Sequence, residues 1–144
     1  MNRNIWFGKS KPASKPWGHE VEFVGIFHGK HICMKKNHRT SLKFNNQKNE
    51  MLYVVDGEVL IEYAAEMHFK DPIQYPSRTR RMSPGEYMNI QAGCPYRLTA
   101  LSDATVFEIS DSKFGDSRVI IEDDYGRETE SEATEWIFNS PMVE

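Results

Sequence analysis

Short runs of β-branched and aromatic residues, separated by turn residues, make up most of the chain after Val21. The runs MLYVV and EVLIEY flank Asp56-Gly57 and predict a β-hairpin. VEFVGIF and HICMKK predict two more strands, joined at Gly29. Further strands are predicted in EYMNIQA, YRLTAL and ATVFEIS. Because helical periodicity of about 3.6 residues is missing from the central region, we expect an all-β fold, either a sandwich, a barrel or a jelly roll.

Three segments depart from this regular spacing. Residues 1–14 are polar and predict a flexible N-terminal arm. Residues 64–83 are rich in proline and charge, and predict an inserted loop with a basic, solvated end at Arg78, Arg80 and Arg81. Residues 128–144 form an acidic C-terminal extension, which could fold into one or two helical turns.

Composition limits the class of protein. A chain of 144 residues can bury one substantial core, and its net charge of -3 argues against a generally basic nucleic-acid binder. No run approaches the about 18 apolar residues that a membrane span needs, and the N-terminus lacks the apolar core of a signal peptide. The two cysteines, Cys33 and Cys94, have no CxxC spacing. We therefore expect a cytoplasmic protein with reduced thiols and no membrane or nucleic-acid partner.

Four sequence blocks, in order, resemble those of a known family. They are KPWG from Lys15, SLKF-x5-E from Ser41, PG-x7-G-x-PYR from Pro84 and FGDSRVIIEDDYGR from Phe114. The chain resembles the cupins, and most closely the C-terminal cupin of type II mannose-6-phosphate isomerases, which also occurs fused behind a mannose-1-phosphate guanylyltransferase. The resemblance implies a double-stranded β-helix, the jelly-roll barrel of the cupins, over residues 15–127.

The metal-ligand positions of that family carry other residues in this chain. The resemblance places them at Lys43, Asn45, Glu50 and Tyr96, of which Glu50 alone is a competent ligand. The ammonium of Lys43 has no lone pair near neutral pH, and its charge repels a cation. We therefore expect no metal cofactor and an internal Lys43–Glu50 ion pair in its place. A divalent metal would need a replacement ligand, for which His38 is the best-placed histidine.

Lys43, Glu50 and Tyr96 are the expected catalytic residues. Together they would form an inward-facing set that can move protons, with the Tyr96 hydroxyl donating to a developing oxyanion. Burial would lower the pKa of Lys43, whereas a nearby Glu50 would raise it again. The alternative is that the three side chains form a satisfied polar cluster in a site without activity.

Substrate binding is expected at Asn45, Arg97 and Arg127. The two arginines stand at family positions, and a guanidinium suits bidentate contact with a phosphate. Arg127 could instead pair with Asp123 or Asp124 and hold the tail.

The sequence supports two hypotheses for the function. The resemblance implies a cupin of carbohydrate metabolism that binds a sugar or sugar phosphate in the barrel, as an isomerase or epimerase. The alternative is a non-catalytic, metal-free cupin that binds a small ligand or serves as an assembly module, since one fold hosts many functions. The resemblance also implies a homodimer.

Overall fold

The computed structural model of the protein describes residues 2–111 and 118–125. Within these ranges it contains eleven β-strands and a short 3₁₀ helix at Glu66–Phe69. The strands are β1 (Lys11–Lys15), β2 (Gly18–Val24), β3 (Phe27–Met34), β4 (Leu42–Asn45), β5 (Glu50–Asp56), β6 (Val59–Tyr63), β7 (Arg78–Met82), β8 (Tyr87–Ile90), β9 (Tyr96–Ala100), β10 (Ala104–Asp111) and β11 (Arg118–Glu122).

Two antiparallel sheets face each other. One has six strands in the order β1-β2-β3-β10-β5-β8, and the other has five in the order β11-β4-β9-β6-β7. β10, late in the chain, lies between β3 and β5. The all-β jelly-roll barrel predicted from the sequence is confirmed.

The inward-facing residues change from apolar to polar along the strands of the six-stranded sheet. Leu52 and Val54 of β5 and Val106 of β10 are fully buried, and they pack with Ile61 and Leu98 from the opposite sheet. Burying each such side chain contributes about 1.5–3 kcal/mol. Farther along the same inner faces stand charged residues such as Glu50 and Glu108. The core therefore occupies one end of the barrel and a polar cavity the other.

The Asp56-Gly57 turn does not close a hairpin, so that prediction was wrong. β5 pairs with β10 and β8, whereas β6 pairs with β9 and β7. The chain turns a corner here from one sheet to the other. Gly57 has φ +78°, and a Cβ on it would lie 2.2 Å from the backbone oxygen of Asp103. The DG signal identified a sharp turn correctly, but apolar residues on both flanking strands are equally compatible with two facing sheets.

β2 and β3 do form a hairpin, but its turn lies at Gly25-Ile26 and not at Gly29. Gly29 lies inside β3, where the ring of Phe23 from β2 covers it. A Cβ at Gly29 would come within 2.5 Å of Phe23 Cε2. This glycine therefore serves close packing of an aromatic ring across the strand pair and does not mark a turn.

The segments set apart in the sequence contain further structure. Residues 11–15 of the N-terminal region form β1, which pairs with β2. The basic end of the 64–83 segment is strand β7 at the edge of the five-stranded sheet, and not a loop. Arg80 and Arg81 remain exposed there and pair with Glu86 and Glu58 at 2.9 and 3.1 Å. The predicted extension at 128–144 lies outside the described residues.

Among the helical residues that the structure describes, no stretch has the length and apolar character of a membrane span.

Candidate functional site

A polar cavity of about 440 Å³ opens at one end of the barrel. Its lining carries five cationic side chains, a histidine and four carboxylates. The cations are Lys15, Lys30, Lys43, Lys48 and Arg118, and the carboxylates are Glu20, Glu22, Glu50 and Glu108. So many charges inside a barrel indicate a site for a polar ligand, because burying charge has a cost that packing alone does not offset.

Strand alternation on β2 and β3 explains why these charges face inward. Glu20 and Glu22 alternate with Val21 and Phe23, and the charged pair lines the cavity. The apolar pair consequently faces outward, where the Phe23 ring stacks on Phe107 with centroids 5.9 Å apart. The usual pattern of an apolar inner face is therefore reversed at this end of the sheet.

The three residues expected to be catalytic come together: Lys43 and Glu50 line the cavity, and the buried Tyr96 contacts both of them. Lys43 of β4 stands opposite Tyr96 of β9 in the strand pairing. Its ammonium lies 4.8 Å from the centroid of the Tyr96 ring, within the range of a cation–π contact. The Tyr96 hydroxyl donates to Glu50 Oε2 at 3.1 Å.

Glu108 is a fourth member of this cluster that the sequence reasoning missed. It projects inward from β10, is only 7% exposed, and lies with Oε1 3.4 Å from the Tyr96 hydroxyl. Lys30 Nζ lies 3.9 Å from its other oxygen. Glu108 lies two residues after Val106 and therefore shares its buried face of β10. The sequence does not show which face is buried, because Phe107 and Ile109 make the other face equally apolar.

Burial perturbs the ionisation of the whole cluster. Burial lowers the pKa of Lys43 to about 8, although the carboxylates of Glu108 and Glu50 oppose this shift. Burial also raises the pKa of Glu50 to about 8, with the charge of Glu108 and a hydrogen bond to it acting in the same direction. The pKa of Tyr96 is raised well above its ordinary value by burial and by both carboxylates. Near neutral pH Glu50 therefore keeps its proton, beside a lysine that can exchange its own.

The expected substrate-binding residues are distributed differently. Asn45 lines the cavity, and its Oδ1 accepts hydrogen bonds from the backbone N–H groups of Gln47 and Lys48. Arg97 is buried outside the cavity lining, where its Nε donates to Thr40 O at 2.9 Å. A second Arg97 nitrogen lies 3.2 Å from Glu122 Oε2. Arg127 lies outside the described residues.

Searches for relatives by sequence found no matching family model and no matching curated protein. Searches by structure found similar solved structures. The capsular polysaccharide assembling protein CapF from Staphylococcus aureus matches with a TM-score of 0.65 and 15% identity, covering 81% of this chain and 33% of CapF. A variant of Bacillus subtilis oxalate decarboxylase OxdC matches with a TM-score of 0.66 and 14% identity, covering 92% of this chain and 32% of OxdC.

The chain has a cupin fold. KdgF from Halomonas sp., a further cupin-fold structure, matches with a TM-score of 0.59 and 14% identity, covering 74% of this chain and 88% of KdgF. This chain spans about a third of the length of CapF and of OxdC. Likeness at such identities establishes the cupin barrel, while the finer resemblance to mannose-6-phosphate isomerase stays a prediction.

A divalent metal does not fit the residues at the cupin ligand positions. Glu50 and its neighbour Glu108 are competent ligands, but the Lys43 ammonium lies beside them and Tyr96 is protonated. His38, the proposed replacement ligand, is not part of the cavity lining, and its Nδ1 lies 3.0 Å from Lys36 O. In the part of the chain that the structure describes, no group of three or more His, Cys, Asp or Glu side chains is arranged to hold a metal ion.

Proposed function

We propose that this cupin binds a sugar or sugar phosphate in the barrel cavity and moves a proton on it, as an isomerase or epimerase. The observation that carries the proposal is the cluster of Lys43, Glu50 and Glu108 in the lining of a polar cavity, joined to one another by the buried Tyr96. Acid–base groups whose pKa values lie near the working pH are the most effective proton-transfer catalysts. The values of about 8 for Lys43 and Glu50 meet that condition.

The roles in this proposal follow from the raised pKa of Glu50, which keeps that carboxyl group protonated near neutral pH. Glu108 takes the proton from the carbon next to the substrate carbonyl, and the electron pair of that C–H bond moves to the carbonyl oxygen. The Lys43 ammonium stabilises the resulting enolate oxygen, with the Tyr96 hydroxyl as a second donor. The protonated carboxyl group, Glu50, then returns a proton to the same carbon on its other face, which gives the epimer, or to the former carbonyl carbon, which gives the isomer as the proton of the neighbouring hydroxyl group moves to the enolate oxygen. Lys43 thereby supplies the positive charge that a metal supplies in metal-dependent isomerases.

The comparison with CapF is compatible with a sugar as the ligand. CapF is described as a capsular polysaccharide assembling protein, and polysaccharides are built from sugars. OxdC, with a similar barrel, is an oxalate decarboxylase. Because the cupin barrel hosts such different chemistry, the proposal depends on the cluster and on the polar lining of the cavity.

Deuterium exchange tests proton transfer without assuming which product forms. The full chain would be incubated in D₂O with mannose-6-phosphate and with fructose-6-phosphate, and deuterium at the carbons next to the carbonyl would be followed by NMR. We expect exchange with the wild type, at least about 100-fold slower exchange with Glu50→Gln, and slower exchange with Tyr96→Phe. The matched control is Tyr53→Phe, since Tyr53 lies half-exposed on β5.

A metal-free cupin that binds its ligand without turnover is the second candidate. One observation favours it: within the described residues, every buried side-chain nitrogen or oxygen has a hydrogen-bond partner. A buried cluster whose polar atoms all have hydrogen-bond partners is stable in the folded protein, and a catalytic role is not needed to explain its presence. Binding of either sugar phosphate with no deuterium exchange would select this second function over the first.

A further inference from the structure

We propose that Lys48 and His28 form an anion subsite at the edge of the cavity, suited to a phosphate or carboxylate group. Both side chains line the cavity, and neither belongs to the motif positions that the sequence singled out. The inference rests on the proposed function in one respect only: it assigns where the phosphate of a sugar phosphate would bind.

His28 is held in one orientation by a carboxylate. Its Nε2 donates to Glu22 Oε1 at 2.8 Å, and this pair fixes both the ring and the tautomer. The other ring nitrogen, Nδ1, accepts a hydrogen bond from Lys48 Nζ at 3.3 Å. Glu22 and Lys48 therefore lie on opposite sides of the imidazole.

Lys48 differs from the neighbouring cavity lysines in its partner. Lys15 and Lys30 each lie 3.5 Å from Glu20, and Lys30 also lies 3.9 Å from Glu108. Among the described residues, Lys48 forms no such ion pair with a carboxylate, and its ammonium contacts Nδ1 of His28 instead. Its positive charge can therefore pair with an incoming anion without first giving up a carboxylate.

An arriving anion would replace the weak Lys48–His28 hydrogen bond with two charge-assisted ones. Lys48 would donate to the anion directly. His28 would take up a proton from solvent on Nδ1 and donate it, and Glu22 would stabilise the imidazolium through Nε2. Anion binding is therefore coupled to uptake of a proton by the protein.

The groups that face His28 are compatible with this coupling. Ser110 of β10 stands directly opposite His28 and carries no charge. Lys30 and Glu108 form the next cross-strand pair and offset one another. Of the carboxylates in the described part of the chain, Glu22 alone forms an ion pair or hydrogen bond with the ring, and it lies on the side away from Lys48.

The subsite lies close enough to the acid–base cluster of Lys43, Glu50, Tyr96 and Glu108 for one ligand to contact both. His28, Ser110 and Glu50 form one row across β3, β10 and β5. Since neighbouring strands lie about 4.8 Å apart, the Cα atoms of His28 and Glu50 are about 10 Å apart. A phosphorylated hexose can bridge that distance, with its phosphate on Lys48 and its carbonyl end beside Glu50.

Calorimetric titration of the full chain with sulfate tests the subsite without any sugar. Sulfate does not change its protonation near neutral pH, so a proton taken up on binding must go to the protein. We expect binding by the wild type, with proton uptake seen as a dependence of the heat on the ionisation enthalpy of the buffer. Lys48→Gln should weaken binding about tenfold or more, because it removes a charge-assisted hydrogen bond. His28→Gln should abolish the proton uptake.

The matched control is His31→Gln. His31 lies on the same strand but on the opposite face, packed against Phe23 and Phe107. This variant should bind sulfate and take up the proton as the wild type does. Circular dichroism and thermal unfolding of each variant would show that the barrel is intact. The ¹⁵N shift of His28 Nδ1 gives a second readout in the wild type, since it should move toward the protonated value when sulfate is added.

The subsite and the proposed function fail in different ways. A wild type that binds no sulfate, a Lys48→Gln variant that binds sulfate as tightly as the wild type, or binding without proton uptake would each overturn the subsite. A wild type that binds sulfate but neither mannose-6-phosphate nor fructose-6-phosphate would overturn the proposed function and leave the subsite in place.

Discussion

The Tyr96 hydroxyl lies between two carboxyl groups and has one hydrogen to give. Its oxygen is 3.1 Å from Glu50 Oε2 and 3.4 Å from Glu108 Oε1, so it can donate its hydrogen to only one of the two carboxyl groups at a time. Burial disfavours the charged form of Glu50, and the charge of Glu108 and a hydrogen bond to it act in the same direction. These are the physical reasons that Glu50 holds its proton to about pH 8.

The raised pKa of Glu50 predicts how stability depends on pH. Between the ordinary value of 4.5 and about 8, the folded protein keeps a proton that the unfolded chain has lost. The free energy of unfolding should therefore fall as the pH rises through this window. Thermal unfolding at a series of pH values should show this fall in the wild type, and Glu50→Gln should flatten it. A wild type whose stability rises steadily from pH 5 to about 8 would contradict the assignment.

Arg97 is predicted to be structural. It is buried and donates to the backbone oxygens of Thr40 and Glu122, so Arg97→Ala leaves those acceptors without their donor. We expect a loss of about 2–4 kcal/mol in the free energy of unfolding, measured by urea denaturation. Arg81→Ala is the control, since that arginine is exposed and should change stability by less than about 1 kcal/mol. If Arg97→Ala lowered the free energy of unfolding as little as Arg81→Ala, Arg97 would not be needed for the fold.

At the residue scale, the motif resemblance identified part of the cluster and local polarity hid the rest. Lys43, Glu50 and Tyr96 stand at motif positions, and the structure brings them together. In the sequence, Glu20 and Glu22 alternate with Val21 and Phe23, a pattern that is typical of an amphipathic strand with its charged residues in solvent. The alternation of polar and apolar residues separates the two faces of a strand. Where the interior of the barrel holds a polar cavity, this alternation does not show which face points inward.

At the scale of elements, each predicted hairpin was right in one respect: β2 and β3 pair but turn at Gly25-Ile26, whereas Gly57 is a turn but joins strands that do not pair. The runs on both sides of Gly57 are strands, as predicted, but they belong to different sheets. Pairing depends on residues far along the chain: β5 pairs with β10, about 50 residues later. A local turn signal contains no information about such a distant partner.

Alanine substitutions at Gly57 and Gly85 separate the effect of steric crowding on stability from the effect of backbone strain. Gly57→Ala adds a Cβ that would lie 2.2 Å from Asp103 O, at a φ of +78°. Gly85→Ala has a similar strain, at φ +92°, but no atom lies within 4 Å of the added carbon. We expect Gly85→Ala to cost about 1 kcal/mol of stability and Gly57→Ala about 2–4 kcal/mol. Urea denaturation measures both, and equal costs would mean that the corner tolerates the extra carbon.

At the scale of the whole molecule, the outer face of the six-stranded sheet is apolar and almost uncharged. One row across it runs through Val21, His31, Phe107, Tyr53 and Tyr87. Phe23, Tyr53 and Tyr87 are 41%, 42% and 62% exposed. A chain with net charge -3 repels a copy of itself, but two such faces could meet without bringing like charges together.

We therefore propose that the homodimer implied by the resemblance forms through this face. Tyr53→Glu should convert the dimer to a monomer, because it would place a negative charge opposite its own copy in a two-fold interface. Ile73→Glu is the control, since Ile73 is 93% exposed in the 64–83 segment, away from the face. Analytical ultracentrifugation measures the mass of each. A wild type that sediments as a monomer at all concentrations would refute the proposal.

The position of β10 in the six-stranded sheet determines the order in which the barrel can fold. The β2–β3 hairpin can form early during synthesis, but β3 and β5 have no common partner until residues 104–111 have left the ribosome. Sheets closed by such distant pairings fold slowly, since a long loop must be ordered before any contact compensates for it. β10 also carries Glu108. The strand that completes the sheet therefore also completes the buried cluster with Lys43, Glu50 and Tyr96 in the same step.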